Sequence, residues 1–484
     1  MSQVKLEDIV SLCKRRGFIY QGSEIYGGLA GTWDWGPLGV MLKQNIQNVW
    51  WEHFVLSRDD MYPLDSAILM NSKVWQASGH LANFADPLVE CKKCKARFRA
   101  DRFPNKPPTK QNDALWLEKW VDSYRSIHGF SDESDLAKAA QARDESYIEG
   151  KVKCPNCSKF SEYVPSKAFN LMFKTSIGPV EGEENEAYLR PETAQGIFTN
   201  FKNVVDSFQP DMPFGIAQIG KAFRNEISPR DFIFRDREME MMEIEYFFNP
   251  KTPAAGGWQK VFDYWLDQQA EYLDHIGIDP KKLHKFEHPD KDRSHYSKKT
   301  IDWEFDYPFG KKELTGLAYR TDFDLQAHIK HSGKNLAYQP KDGGEAFVPH
   351  VLEPTFGIER LVLAVLSSTY AEDEQGGEKR VLLKLPEHIA PIKIAVFPLL
   401  KNKPELVKKA REVYTTLKKE IGNVMWDDNG NIGKRYRRQD EIGTPHCITI
   451  DFDSLKANDV TIRNRDTTKQ ERVPLTKLAK LLGG

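Results

Sequence analysis

Apolar and polar positions alternate along the 484-residue chain with two periods, one helical and one of strands. "WDWGPLGVMLKQNIQNVWWEHFV" enters a helix at Gly36 and Pro37 and then carries Leu38, Leu42, Ile46, Val49 and Phe54 along one side. With Trp50 and Trp51 beside it, that stripe suits a buried interface or an ordinary core helix. "PFGIAQIGKA" and "IEYFF" read as buried strands around a loop crowded with arginines and carboxylates, residues 223–243. "TIDWEFDYPFG" and "KKELTGLAYRTDFDLQAH" read as strands around a Phe-Gly turn, and "EDEQGGEKR", residues 372–380, as a solvated loop. Residues 105–150 are polar and charged with helical stretches, as an insertion would be, and a second insertion is expected over about 279–297. After Pro391 the strand "IKIAVFPLL" is followed by the amphipathic helix "KPELVKKAREVYTTLKKEIG", with Leu406, Ala410, Val413 and Leu417 as its stripe. The strands "HCITIDF" and "DVTIRNRD" complete an alternation that predicts a small α/β domain over 391–484.

Charge and cysteines sharpen this outline. The net charge is −1, but residues 391–484 hold 19 basic and 12 acidic groups, a balance of +7 on a body of −8. A basic tail on an acidic body points to a polyanionic partner. No apolar run approaches the ~18 residues that span a bilayer. "MSQVKLEDIVSLCKRRGF" lacks the apolar stretch of a secretory signal, so a cytoplasmic protein with no membrane partner is expected. Four of six cysteines form the pairs Cys91/Cys94 and Cys154/Cys157. In a reducing compartment such pairs favour a structural zinc held by four thiolates. A lapsed site or free buried thiols is the alternative. The 59 residues between the pairs make room for the insertion, within a Cys-rich module at about 86–165.

The charged loop needs charged ligands or many ion pairs. Arg224 leaves the first strand, and an arginine fork binds phosphate while staying ionised. Glu226 follows, able to accept from an amine. Far along the chain, "EPTFGIERLVLAVL" sets Arg360 in the first turn of an apolar helix. A cation there works against the helix dipole, which suggests another task. Each string alone is weak.

Together they resemble one family. "GKAFRNE…FRDREMEMMEIEYFF" is similar to motif 2 of class II aminoacyl-tRNA synthetases, "GIERLVLAVL" to motif 3, and the Gly-Pro helix to motif 1, which builds the dimer interface in that class. "YGGLAGTWDWGPLG", "RFRAD", "YLRPETAQGIF", "YRTDFDLQAH", "HVLEPTFGIER", "KRYRRQDEIGTPHCITID" and "VTIRNRDT" narrow the resemblance to the homodimeric glycyl type, over roughly residues 19–481. The resemblance implies an α+β fold. A catalytic domain, 1–390, is built on an antiparallel sheet flanked by helices, and an α/β anticodon-binding domain follows at 391–484. The implied activity is that of a glycine–tRNA ligase: ATP and glycine form glycyl adenylate, whose acyl group passes to the 3′ end of tRNA(Gly).

The resemblance also implies roles. Arg224 binds the α-phosphate, Glu226 contacts the adenine amino group, and Arg360 binds the γ-phosphate; these three are the catalytic set. ATP contacts extend to Asn225, to Phe234, Arg235, Asp236, Arg237, Glu238 and Met239, to Glu313 and Leu314, and to Gly357, Ile358 and Glu359. Glu313 is the candidate for holding Mg²⁺ with ATP. Glycine contacts come from Arg99 and Glu192, from Met239, Glu240, Met241, Met242 and Glu243, and from Glu353, Pro354, Thr355, Phe356 and Gly357. Two positions depart from the family pattern. Met239 stands where a phenylalanine normally lies under the adenine, and a thioether can still pack on a ring. Thr355 replaces the usual serine. Two other readings stay open: a non-catalytic relative acting as a nucleic-acid-binding or polymerase accessory protein, and another class II specificity. Arg224, Glu226 and Arg360 speak against the first, and "RPETAQG" and "EPT" against the second.

Overall fold

The computed structural model describes residues 4–99, 147–148, 151–154, 156–161, 163–179, 185–251, 257–290, 293 and 296–482. The expected insertion at 105–150 lies outside them except for Tyr147–Ile148. Helix α1 spans Leu6–Arg16 and α2 spans Pro37–Trp51. Gly36 caps α2, Pro37 fills its first position, and Leu38, Leu42, Ile46 and Trp50 are buried along one side, as the apolar stripe requires.

A seven-stranded sheet organises the body. Its strands are β1 (Met61–Pro63), β2 (Phe214–Phe223), β3 (Glu238–Phe248), β4 (Leu283–Glu287), β5 (Lys299–Tyr307), β6 (Gly310–Thr321) and β7 (His350–Gly357). Their spatial order is β4-β5-β6-β7-β3-β2-β1. Neighbours are antiparallel except β1 with β2. Four more helices accompany the sheet: α3 (Ala194–Phe208), α4 (Gly257–His275), α5 (Phe323–Ser332) and α6 (Ile358–Thr369).

Side chains on a strand alternate between faces, and the two faces of this sheet have different fates. On one, Met242, Ile244 and Tyr246 of β3, Leu317 of β6, and Leu352 and Phe356 of β7 merge with α2, α4 and α6 into one buried cluster. Phe356 packs against Trp50, Phe54 and Tyr272 there, so its truncation to alanine costs about 3–5 kcal/mol. On the other face, Phe247 and Val351 pack with Ala194, Ile197, Phe198 and Phe201 of α3 and Leu325 of α5. That smaller cluster covers one end of the strands; the opposite end, from Met239 to Glu243, carries the site.

Three segments depart from the periodic reading. Residues 372–380 belong to a hairpin of β8 (Tyr370–Gln375) and β9 (Glu378–Leu383), whose turn is Gly376-Gly377 with φ of 64° and 79°. Positive φ at both turn positions matches strand twist, and glycine supplies it without strain. "DFDLQAH" is helical: β6 ends at Thr321 and α5 follows. Within the expected insertion at 279–297, Leu283–Glu287 is the edge strand of the main sheet, paired along its length with β5.

Toward the C-terminus come β10 (Ile394–Pro398), α7 (Pro404–Ile421), β11 (Val424–Trp426), α8 (Ile432–Glu441), β12 (His446–Ile450), β13 (Asp459–Asn464) and β14 (Gln470–Pro474). They form a sheet of order β11-β10-β12-β13-β14. β10 is parallel to both its neighbours, and the remaining pairs are antiparallel. The α7 stripe of Leu406, Ala410, Val413 and Leu417 is buried against Ile394, Val396 and Ile448.

Candidate active site

A cavity of about 290 Å³ opens where β3, β6 and β7 meet the start of α6. Arg224, Glu226, Phe234, Arg235, Asp236, Met239, Met241, Glu313, Leu314, Thr355, Gly357, Glu359 and Arg360 line it. Met239 and Met241, two residues apart on one face of β3, set two thioethers side by side. Gly357 lies opposite Met241 in the strand register, and a Cβ there would meet nothing within 4 Å, so the space above it is open.

Three arginines line this cavity, and Arg224 and Arg360 reach it from a strand end and a helix start. Arg224 follows the end of β2; its Nε donates to the Pro191 carbonyl at 3.0 Å, and its guanidinium lies 5.6 Å from the Phe84 ring centre. Arg360, in the first turn of α6, holds Glu313 Oε1 at 3.0 Å from Nη1. Its guanidinium lies 4.6 Å from the centre of the Phe234 ring, which Tyr307 and Phe309 brace edge-on. Burial opposes the Arg360 charge, but Glu313 holds its pKa above the ordinary value; Arg360 in turn lowers that of Glu313. Burial, then the charge of Glu359, pushes Asp236 up to about 9.

Beyond Thr355 the cavity gives way to a buried acidic cluster. Glu243 stands opposite Thr355 in the register of β3 and β7. One Glu243 oxygen accepts from the N–H groups of Thr193 and Ala194 at 2.7 and 3.0 Å, at the start of α3, and from the Thr193 hydroxyl. Glu353 accepts from Arg320 Nη1 at 2.7 Å, and Asp324 takes Nε and Nη2 of the same guanidinium at 2.7 and 2.8 Å. Glu192 accepts from Gln195 at 3.1 Å and faces His80 at 3.3 Å. Arg190 fixes the segment ending in Glu192 by donating to the Lys221 and Ser66 carbonyls at 2.6 and 2.8 Å. It passes over Gly220, where a Cβ would lie 2.2 Å from Arg190 Nη2.

The cluster is electrostatically uneven. Burial alone would raise the Glu192 carboxyl, but His80 and then Arg320 hold it well below the usual range. Burial and then Glu192 push Glu243 up. Burial lifts Glu353 to about 8 against the pull of Arg320. Glu245, two residues past Glu243, is fully buried, and neither of its carboxylate oxygens has a hydrogen-bond partner. Burial, then Glu353, raises its pKa well above the ordinary value. Sequence reasoning passed over Arg320, Asp324, Gln195, His80 and Glu245. Arg320 lies at the end of β6 and Asp324 at the start of α5, so no helical spacing links the two in sequence.

Strand alternation removes several expected residues from the site. Glu240 and Met242 face the opposite side of β3 from Glu243: Met242 is in the core, and Glu240 pairs with Lys43 at 2.6 Å. Phe356 is buried in the core, and neither it nor Pro354 lines the cavity, although Thr315, the register partner of Phe356, does. Ile358 is buried in the same core. Glu238 pairs with Lys221 at 3.0 Å. Arg237 is a backbone clamp: it donates to the Glu226 carbonyl at 3.2 and 3.0 Å and to the Ala30 carbonyl at 2.6 Å. Asn225 does not line the cavity. Arg99 lies in the strand Arg97–Arg99, and its side chain falls outside the described residues.

Two further features lie apart. The sulfur atoms of Cys91, Cys94, Cys154 and Cys157 all lie within 4.8 Å of one another. Each pair closes a like turn, with Lys95 N–H on the Cys91 carbonyl and Ser158 N–H on the Cys154 carbonyl, both residues at positive φ. Four converging thiols fit a tetrahedral zinc. A cleft of about 650 Å³ is lined by Arg16 of α1, Lys434 and Arg437 of α8, and Arg463 of β13, with Tyr436 among them. Three members of the basic run have other work, Arg437 donating from the cleft wall to the Gln375 carbonyl at 3.0 Å. Arg435 is buried and donates to the carbonyls of Pro398, Asp428 and Gly430, and Arg438 pairs with Asp427 at 2.8 Å.

An antiparallel sheet carrying an arginine from a strand end and another from a helix start, around one cavity, is the architecture of a class II tRNA synthetase. The family description "tRNA synthetase class II core domain (G, H, P, S and T)" matches residues 173–369, and "Anticodon binding domain" matches 393–483. Among solved structures, prolyl-tRNA synthetases from Cryptosporidium parvum, complexed with halofuginone and AMPPNP, and from Giardia lamblia, with prolyl-adenylate, share the fold. Their TM-scores are 0.61 and 0.62 at 14% and 15% identity, over 98% of this chain and 74% of each of theirs. Curated relatives are more similar. The glycine--tRNA ligase of Caldanaerobacter subterraneus subsp. tengcongensis is 46% identical over 480 residues, 99% of this chain and 98% of the relative. That of Clostridium acetobutylicum is 48% identical over 479, again 99% and 98%. The chain belongs to the glycine--tRNA ligase family.

Proposed function

We propose that the protein joins glycine to ATP and passes the glycyl group to the 3′ end of tRNA(Gly). The observation that carries this reading is the meeting of cavity and acidic cluster: Thr355 lines the arginine-bearing cavity and stands opposite Glu243 of the cluster. ATP takes the cavity, its base between the Met239 and Met241 thioethers and the Arg360 guanidinium that Phe234 supports. Glu226, fixed by the Arg237 clamp, takes the adenine amino group. Glycine's ammonium enters among Glu192, Glu243 and Glu353, and its carboxylate points at the α-phosphorus. A carboxylate oxygen attacks that phosphorus, the bond to the bridging oxygen breaks, and pyrophosphate leaves. Arg224 stabilises charge that builds on the α-phosphoryl oxygens, and Arg360 holds the departing γ-phosphate; fixed cations of this kind act without a covalent enzyme intermediate. A terminal ribose hydroxyl of tRNA then attacks the glycyl carbonyl, and AMP leaves. Magnesium bound with ATP would shield phosphate charge. Glu313, 51% exposed beside Arg360, would be one of the one or two carboxylates that join phosphates around that ion.

The four cysteines hold a structural zinc in this reading, and residues 391–484 receive the anticodon end of tRNA beside the 1–390 catalytic body. Two copies pair through α2, where Val40 is 47% exposed. No described helix is long and apolar enough to cross a membrane, and we place the reaction in the cytoplasm. Charging of tRNA(Gly) with labelled glycine, against alanine and serine, tests the proposal. Glycyl ester on tRNA supports it. Tight tRNA binding with no ester formed would favour a non-catalytic relative instead.

A further inference from the structure

Glu240, which β3 turns away from the cavity, joins a charge network that reaches the cavity wall at Glu359. Lys43 of α2 lies 2.6 Å from Glu240, and each side chain is 16% exposed. The Lys43 ammonium also sits 5.5 Å from the centre of the Trp35 ring, which limits where it can go. The Glu240 backbone N–H donates to both carboxylate oxygens of Glu359, at 3.2 and 3.1 Å. Glu359 is buried and immediately precedes Arg360 in the first turn of α6. A continuous path of contacts thus runs from α2, across β3, to the guanidinium on the cavity wall.

The path is sensitive to charge. Asp236 and Glu359 from the cavity wall crowd together with Glu238 and Glu240 behind it, and Lys43 and Lys221 are the cations facing them. Without Lys43 the Glu240 carboxylate faces Glu359 with only Lys221 to offset the repulsion. Like charges at close range either separate or take up a proton. Either outcome weakens the hold of Glu359 on the Glu240 N–H and frees the turn that aims Arg360 past Phe234.

We propose that Lys43, acting through Glu240 and Glu359, is a positioning residue for Arg360 and so for the nucleotide step, an inference that rests on reading the cavity as the ATP site. Lys43 itself touches no substrate in this arrangement. It sets the angle at which α6 presents the arginine.

Lys43→Met, with Lys43→Arg as the conservative variant, tests this in pyrophosphate exchange, ATP calorimetry without glycine, and thermal melting. Lys202→Met, which removes an exposed pair with Asp206 on α3, is the control. Lys43→Met should lower kcat about tenfold and raise the ATP KM several-fold, while the glycine KM stays within about twofold and the folded state persists. Lys43→Arg should recover most of the loss. Three results would each overturn the proposal: kcat and ATP KM within about twofold of wild type, ATP and glycine KM rising together, or a lower melting temperature with unchanged kinetics. The last would make the pair a matter of packing alone. If Lys43→Met does not fold, Lys43→Gln, which keeps a donor to Glu240 without the charge, is judged by the same criteria. A wild type that binds ATP but exchanges nothing refutes the proposed reaction. The Lys43 effect is still decided in that case by ATP affinity, which Lys43→Met must weaken.

Discussion

Replacing Glu353 by glutamine removes one charge from the acidic cluster above about pH 8, where the carboxyl is ionised, while keeping its shape. Glutamine Oε1 can still accept the 2.7 Å hydrogen bond from Arg320. What disappears is the carboxylate's attraction for glycine's ammonium. Two unit charges about 4 Å apart attract by roughly 4 kcal/mol at an effective dielectric of about 20. Arg320 already offsets part of that field, and Glu192 and Glu243 remain, so a loss of about 1.5–3 kcal/mol is expected, the range for a charge-assisted hydrogen bond. That corresponds to about a 10- to 100-fold rise in the glycine KM. The ATP KM should stay within about twofold, because Glu353 does not line the nucleotide cavity. Stability should move the other way. Burial, against Arg320, raises Glu353 to about 8. A carboxyl raised in the folded state contributes stability that is present below its unfolded value of about 4.3 and lost as pH rises through its folded value. Glutamine escapes that loss, so the variant should melt no lower than wild type near pH 8.5, and the two should converge toward about pH 4. Pyrophosphate exchange near pH 8.5 with glycine and ATP varied separately, together with melts at both pH values, provides the assay. An unchanged glycine KM, or an ATP KM that rises in step with it, would refute the placement of the ammonium.

Arg224→Ala and Arg360→Ala should each cut pyrophosphate exchange by about 10²-fold or more while leaving the protein folded, since each acts on charge at a phosphate. Thr355→Gly should admit some alanine, eroding a discrimination that a single methyl sets at roughly 10–200-fold; unchanged selectivity would place the wall elsewhere. Elemental analysis should find about one zinc per chain, and Cys154→Ser should lower both zinc content and melting temperature. Lys434→Ala combined with Arg437→Ala should weaken tRNA binding and flatten its salt dependence, the log–log slope falling by roughly 0.7–0.9 for each phosphate left without its cation, with glycine-dependent exchange preserved.

The parts of the fold that were legible in the sequence are those with strong local periodicity. The α2 stripe, the α7 stripe with Pro404 and Gly422 at its ends, and the start of α6 all stand where the pattern puts them. The hairpin of β8 and β9 was also in reach, because Gly376-Gly377 is a two-residue turn signal, but its acidic flanks read as a loop. In the site, contiguous runs were the weak point. A strand offers alternate residues to one face, so of the run 239–243 only Met239, Met241 and Glu243 turn toward the cavity and the acidic cluster, and of 353–357 only Glu353, Thr355 and Gly357. Arg320, His80 and Gln195 could not be found this way. They come from separate segments, and only the folded sheet brings them to Glu192 and Glu353. Arg237 and Arg435 show a further limit: an arginine that grips backbone carbonyls is indistinguishable in sequence from one that awaits a phosphate.

ATP–pyrophosphate exchange measured with each of the common amino acids in turn, without tRNA, tests the central claim most directly. A nucleotide cavity that meets the acidic cluster at Thr355 predicts exchange that depends on glycine and falls steeply for alanine and larger side chains. Exchange sustained by a larger amino acid, or no exchange with glycine by folded protein that binds ATP, would contradict it.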